Sequence, residues 1–218
     1  TEAITGLDLV EWQLRVASGE PLPLRQDELR ITGHAIEARI CAENPDNQFL
    51  PATGTLAVYR KPACTSFERG AVRVDDGVRE GDAISPFYDS MVAKLIVHGD
   101  TREQALARLD DALAQTHIVG LATNVQFLRL VARSDSFAQG RLDTALIQRE
   151  QAVLFQQERV GLPLAAAAAV AQTLLRERAA ESADPFSRRD GFHSHAELER
   201  RFEFDFGGQH AKAWLTYG

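Results

Sequence analysis

The sequence predicts an α+β protein: a mostly antiparallel sheet covered by helices, followed by a long helix and a β-hairpin. Three observations carry this. From Arg30 to Gly99 short runs alternate apolar and polar residues and are broken by the turn signals Asp75-Asp-Gly77 and Glu80-Gly-Asp82. From Thr101 the apolar spacing changes to three and four, the helical period. After Glu150 an alanine-rich run gives way to a second alternating stretch rich in phenylalanine.

Near the N-terminus Leu7, Val10, Leu14 and Ala17 recur at helical spacing. Ser18-Gly19-Glu20-Pro21 stops the pattern, because glycine takes a left-handed cap and proline cannot continue the helix. In the run His34 to Glu43, alternation puts Ile36, Ala38, Ile40 and Ala42 on one side of a strand and Glu37, Arg39, Cys41 and Glu43 on the other. Val58-Tyr59-Arg60, Ala71 to Asp75 and Met91 to Val97 supply further strands of the same sheet. Thr101-Arg-Glu-Gln104 reads as a capping box ahead of Ala105, Leu106, Leu109, Ala112 and Leu113, and Thr123-Asn124 opens a helix carrying Phe127, Leu128 and Val131.

Pro163, Leu164 and five alanines predict a long helix to about Glu181, since proline is tolerated in a first turn and alanine has the best propensity. Ser182 to Gly191 is a polar turn region, and Glu177, Glu181 and Asp184 read as a solvated helix end. Leu198, Arg200, Phe202, Phe204 and Phe206 then alternate with Glu199, Arg201, Glu203 and Asp205 until Gly207-Gly208 turns the chain into His210 to Tyr217. This is a hairpin with an aromatic face.

At 218 residues, 44% of them hydrophobic, the chain holds one ordinary domain plus part of a second. A net charge of −7 argues against nucleic acid or an anionic membrane as partner, because either needs a basic stripe. Cys41 and Cys64 offer neither a metal spacing nor a disulfide framework, which fits a reducing compartment. The most apolar run, Leu162 to Ala171, is too short to span a bilayer, and no basic-then-apolar leader opens the chain. A soluble cytoplasmic protein is expected, or a mitochondrial matrix protein if the source is eukaryotic. The abrupt start at Thr1-Glu2 is expected of a piece cut from something longer.

Arg39 is the first candidate for chemistry. An extended backbone anchored by its apolar side restrains a guanidinium, which recognition of a planar oxyanion requires. The plain reading of the strand alone is a salt-bridged sheet surface with Glu37, two positions away. Asp89, in Phe87-Tyr-Asp-Ser-Met91, has a turn-capping carboxylate as its plain reading, and Arg73 that of a strand arginine that snorkels. His34, His193 and His195 show no HExxH or carboxylate-paired spacing, so no metal site is expected.

Five segments in order, Asp8 to Leu24, Gly33 to Ile40, Phe49 to Gly54, Phe87 to Gly99 and Ile118 to Leu128, resemble the C-terminal part of biotin carboxylase over roughly residues 1 to 148. The wording around Trp12, the Glu20-Pro-Leu-Pro-Leu24 ending and Asp184 to Phe192 are similar to the α subunits of biotin-dependent acyl-CoA carboxylases, the 3-methylcrotonyl-CoA enzymes in particular. Geranyl-CoA and propionyl-CoA carboxylase α subunits share most of this vocabulary, and pyruvate and acetyl-CoA carboxylases differ chiefly after residue 150.

The resemblance implies ATP- and bicarbonate-dependent carboxylation of biotin. It implies that Arg39 meets bicarbonate and the charge on biotin's ureido oxygen, that Asp89 lies near the biotin site and the dimer interface, and that Arg73 is a dimer contact. ATP and Mg2+ are bound in the family by a portion preceding Thr1, so neither tight cofactor binding nor turnover is expected of this chain alone. The implied partners are a carboxyltransferase β subunit, the biotin carboxyl carrier domain of the same subunit and a second copy in a homodimer. Residues 149–218 resemble the long helix and first strands of the subunit-joining domain, an incomplete β-barrel. The reading from a different class is an assembly module in which Arg39 is structural.

A phenylalanine face that one hairpin cannot bury is expected to leave the segment after Glu150 less ordered than residues 1 to 148. Limited proteolysis of the isolated chain should nick residues 182 to 197 first, or sedimentation should reveal self-association. Protection equal to that of the first domain, in a sedimenting monomer, would contradict the incomplete barrel.

Overall fold

The computed structural model describes residues 1–156, 160–189, 191 and 197–217 and divides the chain into two compact units, Thr1–Gln157 and Glu158–Gly218. The first unit opens with α1 (Glu2–Thr5) and α2 (Leu9–Ala17). Asp8 caps α2 by accepting from the backbone N–H of Val10 at 2.9 Å and of Glu11 at 3.0 Å. Gly19, at φ 92°, takes the left-handed turn that the sequence assigned to it. No residue of α2 is buried.

Strands β1 (His34–Cys41), β2 (Glu43–Asn44), β3 (Leu50–Pro51), β4 (Gly54–Thr55), β5 (Val58–Arg60), β6 (Val72–Asp76), β7 (Ala83–Ile84) and β8 (Met91–Gly99) follow. After them come α3 (Arg102–Ala114), β9 (His117–Val119) and α4 (Val125–Arg133). Three strands form an antiparallel sheet in the order β1-β8-β6. Val58–Arg60 does not join it, because β5 pairs with β9 instead; a period of two reports a strand but not its neighbour. The pairs β2-β3 and β4-β7 complete the strand content of this unit.

Alternation gives the sheet two unlike faces. Ala38 and Ile40 of β1, Ala93, Leu95 and Val97 of β8 and Val74 of β6 turn inward and join Leu109, Ala112 and Leu113 of α3 and Ala132 of α4 in one core. Each large aliphatic side chain buried there contributes on the order of 1.5–3 kcal/mol, so this face holds the unit together. Helix α3 approaches closely because Gly99 lacks a side chain: a Cβ there would stand 2.7 Å from the backbone nitrogen of Ala105. The expected capping box forms by half. Thr101 Oγ1 accepts from the Gln104 N–H at 3.3 Å, whereas Gln104 Oε1 reaches past Thr101 to the N–H of Asp100 at 3.0 Å. Arg129 and Arg133 of α4 hold Asp110 of α3 at 3.0 and 2.8 Å, tying the two helices together.

The loop between β2 and β3 carries two consecutive left-handed residues that are not glycine, Gln48 at φ 53° and Phe49 at φ 57°. Such conformations cost on the order of 1–3 kcal/mol each and persist only where packing offsets them. Here the Phe49 ring meets Phe127 edge-on at 4.9 Å and Phe155 at 6.0 Å. Phe155 is carried by the short helices α5 (Asp135–Ala138), α6 (Leu146–Arg149) and α7 (Gln151–Leu154) that follow α4.

The second unit consists of α8 (Leu162–Ala179), two residues shorter than expected, and the hairpin β10 (Leu198–Phe206) and β11 (Gln209–Tyr217). Gly207 and Gly208, at φ 58° and 78°, form the tight turn. Arg200, Phe202, Phe204 and Phe206, with Ala211, Ala213, Leu215 and Tyr217 opposite, make a half-buried face. Glu177 is not a solvated helix end. Its side chain is 15% exposed and accepts both ends of the Arg200 fork at 2.6 Å. No third strand joins the hairpin and no barrel closes among the described residues; His193 and His195 lie outside them.

Truncating Phe127, which is 6% exposed and central to the ring cluster, removes the support of the left-handed pair. We expect Phe127→Ala to lower the stability of the first unit by roughly 3 kcal/mol in urea unfolding; a change below about 1 kcal/mol would mean that the loop is held elsewhere.

Candidate functional site

The open face of the central sheet is built from charged residues in register. Arg39 on β1 stands opposite Lys94 on β8, which stands opposite Asp75 on β6; one step along, Glu37, Ile96 and Arg73 form the next row. The Arg39 side chain is 69% exposed, and its Nε lies 3.6 Å from Glu37 Oε1. The salt bridge allowed by the strand pattern is therefore present. It engages one edge of the guanidinium only, and Arg39 makes no other ion pair or side-chain hydrogen bond among the described residues. Lys94 Nζ approaches the other oxygen of the same carboxylate, Glu37 Oε2, at 4.0 Å.

Immediately after Arg39 the ladder is irregular: Ile40 pairs with Ala93 and Cys41 with Met91, so Val92 is skipped. Beside it, Asn124 bonds the backbone of β1, the terminal strand of the sheet. Its Nδ2 donates to the Arg39 carbonyl at 3.0 Å, its Oδ1 accepts from the Cys41 N–H at 2.9 Å, and its backbone N–H donates to the Cys41 carbonyl at 3.1 Å. Asn124 is 7% exposed and does not cap α4 with its side chain. The sequence located the helix start correctly but gave no sign of this function, because the partners lie 83 and 85 residues away.

Asp89 lies at the entry of β8, exposed, with Oδ1 accepting from the Met91 N–H at 2.7 Å, the turn-capping geometry. It makes no ion pair with Arg39. Next to it Ser90 Oγ donates to Glu43 at 2.6 Å. Burial, and then the Glu43 carboxylate, push the neighbouring Cys41 thiol up, which makes it a poor nucleophile.

Arg73 is no free snorkelling side chain. It is 17% exposed, forks onto Asp75 at 2.8–2.9 Å and donates to Glu2 of α1 at 2.9 Å. These partners raise its pKa, the hydrogen bond to Asp75 most. Burial works against the Asp75 carboxylate, but Arg73 and the Phe67 N–H outweigh it and hold its pKa below the ordinary value. A cleft of about 610 Å³ opens beside this cluster, lined by Glu2, Glu37, Arg69, Arg73, Lys94 and His98 among others; Arg39 stands outside it. His34 is exposed at the strand entrance, and the His98 ring lies 2.9 Å from the Thr32 carbonyl. Among the described residues no three His, Cys, Asp or Glu side chains converge as metal ligands, and no helix is long and apolar enough to cross a membrane.

A family model described as the biotin carboxylase C-terminal domain matches residues 37–149, which include Arg39, Arg73, Asp89 and Asn124. The chain is 49% identical over 158 residues to the mitochondrial methylcrotonoyl-CoA carboxylase subunit alpha of Arabidopsis thaliana, covering 72% of this chain and 21% of that protein. It is 40% identical over 210 residues to the same subunit of Dictyostelium discoideum, covering 94% and 30%. The chain thus spans less than a third of these relatives. Among solved structures it is similar to the biotin carboxylase domain dimer of Hydrogenobacter thermophilus 2-oxoglutarate carboxylase, in complex with MgADP, ADP and bicarbonate, with a TM-score of 0.65, 36% identity and coverage of 72% of this chain and 34% of that one.

Replacing Asn124 by alanine leaves the Arg39 carbonyl and the Cys41 N–H without their partner in a partly buried setting. The expected loss is about 2 kcal/mol, read from urea denaturation. An unchanged midpoint would show that β1 is held by its ladder with β8 alone.

Proposed function

Given that the chain belongs to the biotin carboxylase C-terminal domain family, we propose that residues 1–148 are the C-terminal lobe of a biotin carboxylase and that residues 149–218 begin the domain joining it to a carboxyltransferase β subunit. The parent is then the α subunit of a biotin-dependent acyl-CoA carboxylase. The likeness to the Dictyostelium subunit covers 94% of the chain, whereas the family match ends at residue 149. That extent supports 3-methylcrotonyl-CoA as the acyl substrate ahead of geranyl-CoA, propionyl-CoA or acetyl-CoA. The biotin carboxyl carrier domain and a second copy are the other partners, in the cytoplasm or a mitochondrial matrix.

The observation that carries the catalytic reading is the Arg39 guanidinium, carried on a strand whose backbone Asn124 holds, with Glu37 at one edge and no other ion pair or side-chain hydrogen bond among the described residues. A planar fork so placed takes a carbonate through parallel hydrogen bonds and stabilises negative charge developing on an adjacent oxygen. Bound biotin supplies the ureido nitrogen that accepts the carboxyl group. Asp89 borders the site from the start of β8. Arg73, fully occupied by Asp75 and Glu2, supports a dimer contact by ordering α1 rather than by donating across the interface.

A second reading, an assembly module with a structural Arg39, draws on Trp214, which is 60% exposed on the outer face of the hairpin. Arg39→Ala separates the two in the full-length subunit. We expect biotin carboxylation to fall about a hundredfold with ATP affinity and unfolding midpoint nearly unchanged. Normal carboxylation would favour the assembly module, and unfolding would make Arg39 structural.

A further inference from the structure

Two cations facing one another across β1 and β8 share a single carboxylate. Arg39 and Lys94 are direct partners in the ladder, and Glu37 reaches Arg39 Nε with Oε1 (3.6 Å) and Lys94 Nζ with Oε2 (4.0 Å). Asp75, the ladder partner of Lys94 on β6, is already forked by Arg73. Glu37 is thus held from both sides, and the row keeps one positive charge more than this carboxylate balances.

We infer that Glu37 is a positioning residue for Arg39, clamped in place by Lys94, and that it orients the guanidinium so that its Nη end meets the oxyanion. The inference rests on the reading of Arg39 as the oxyanion-binding group. An exposed pair of this kind adds little to folding stability. Its effect lies in the side-chain freedom it removes: a guanidinium tethered at Nε loses rotamers before the anion arrives, and the anion then orders less. Lys94 acts through Glu37, since from the neighbouring strand it draws Oε2 across the sheet and leaves Oε1 at Arg39 Nε.

The test is a set of variants in the full-length subunit, with the unfolding midpoint of each measured beside its activity: Glu37→Gln, Lys94→Met, Arg39→Ala and the doubles. The expected result for Glu37→Gln is a fall of about fivefold in kcat for biotin carboxylation with KM for ATP unchanged. Glu37→Gln combined with Arg39→Ala should be no slower than Arg39→Ala alone, and Lys94→Met should add nothing once Glu37 is gone. Independently of turnover, solvent exchange of the Arg39 Nε–H, followed by NMR with labelled arginine, should quicken in Glu37→Gln and in Lys94→Met. A normal Glu37→Gln enzyme beside an impaired Arg39→Ala enzyme would overturn the inference alone, as would unchanged Nε–H exchange. Additive effects of Lys94→Met and Glu37→Gln would overturn the clamp by giving Lys94 a direct contact with the substrate. A normal Arg39→Ala enzyme would overturn the reading of Arg39 and the inference with it.

Discussion

The three hydrogen bonds from Asn124 to the backbone on either side of Ile40 fix the geometry on which the open face depends. At this point β8 offers Val92 and Ala93 to the core in succession, both 2% exposed, which a regular strand cannot do. The extra residue is Val92 on β8, and a one-residue slip would turn every side chain of β1 to the opposite face. Asn124 holds the backbone of the terminal strand β1 from the start of α4, so the helix that covers the core also determines where Arg39 stands.

The two faces of the sheet work on different energy scales. Core residues contribute kilocalories apiece through burial, whereas the charged rows outside are partly solvated and contribute a fraction of that. Arrangement of the outer charges is therefore little constrained by folding. Arg39 and Arg73 illustrate the outcome. The second is enclosed by Asp75 and Glu2 and orders the N-terminal segment; the first touches Glu37 by one edge and keeps its remaining donors accessible.

Features with a local period were legible in the sequence: the alternation of β1, the apolar stripe of α3, the alanine helix, and the hairpin with its glycine turn. The open face of Arg39 followed from the same alternation, and the ordered motifs indicated the family. Pairings between distant residues were not legible. Nothing in Val58-Tyr59-Arg60 says that its neighbour is residues 117–119 rather than the central sheet. Nothing near Asn124 reports partners more than eighty positions away, and Glu177 resembles any exposed glutamate until Arg200 closes on it. Lys94 carried the one faint signal, a cation interrupting an apolar run.

The alanine surface of α8 has a mechanical corollary. A helix of near-uniform small side chains lacks pronounced ridges and grooves, so a hairpin laid along it meets almost the same surface at successive longitudinal positions. Several such placements would be close to degenerate in packing alone. The fork between Glu177 and Arg200 removes that degeneracy, since two short hydrogen bonds from a planar group tolerate little displacement. It serves the second unit as a dowel: the smooth shaft permits sliding, and a single pin near its end sets the register.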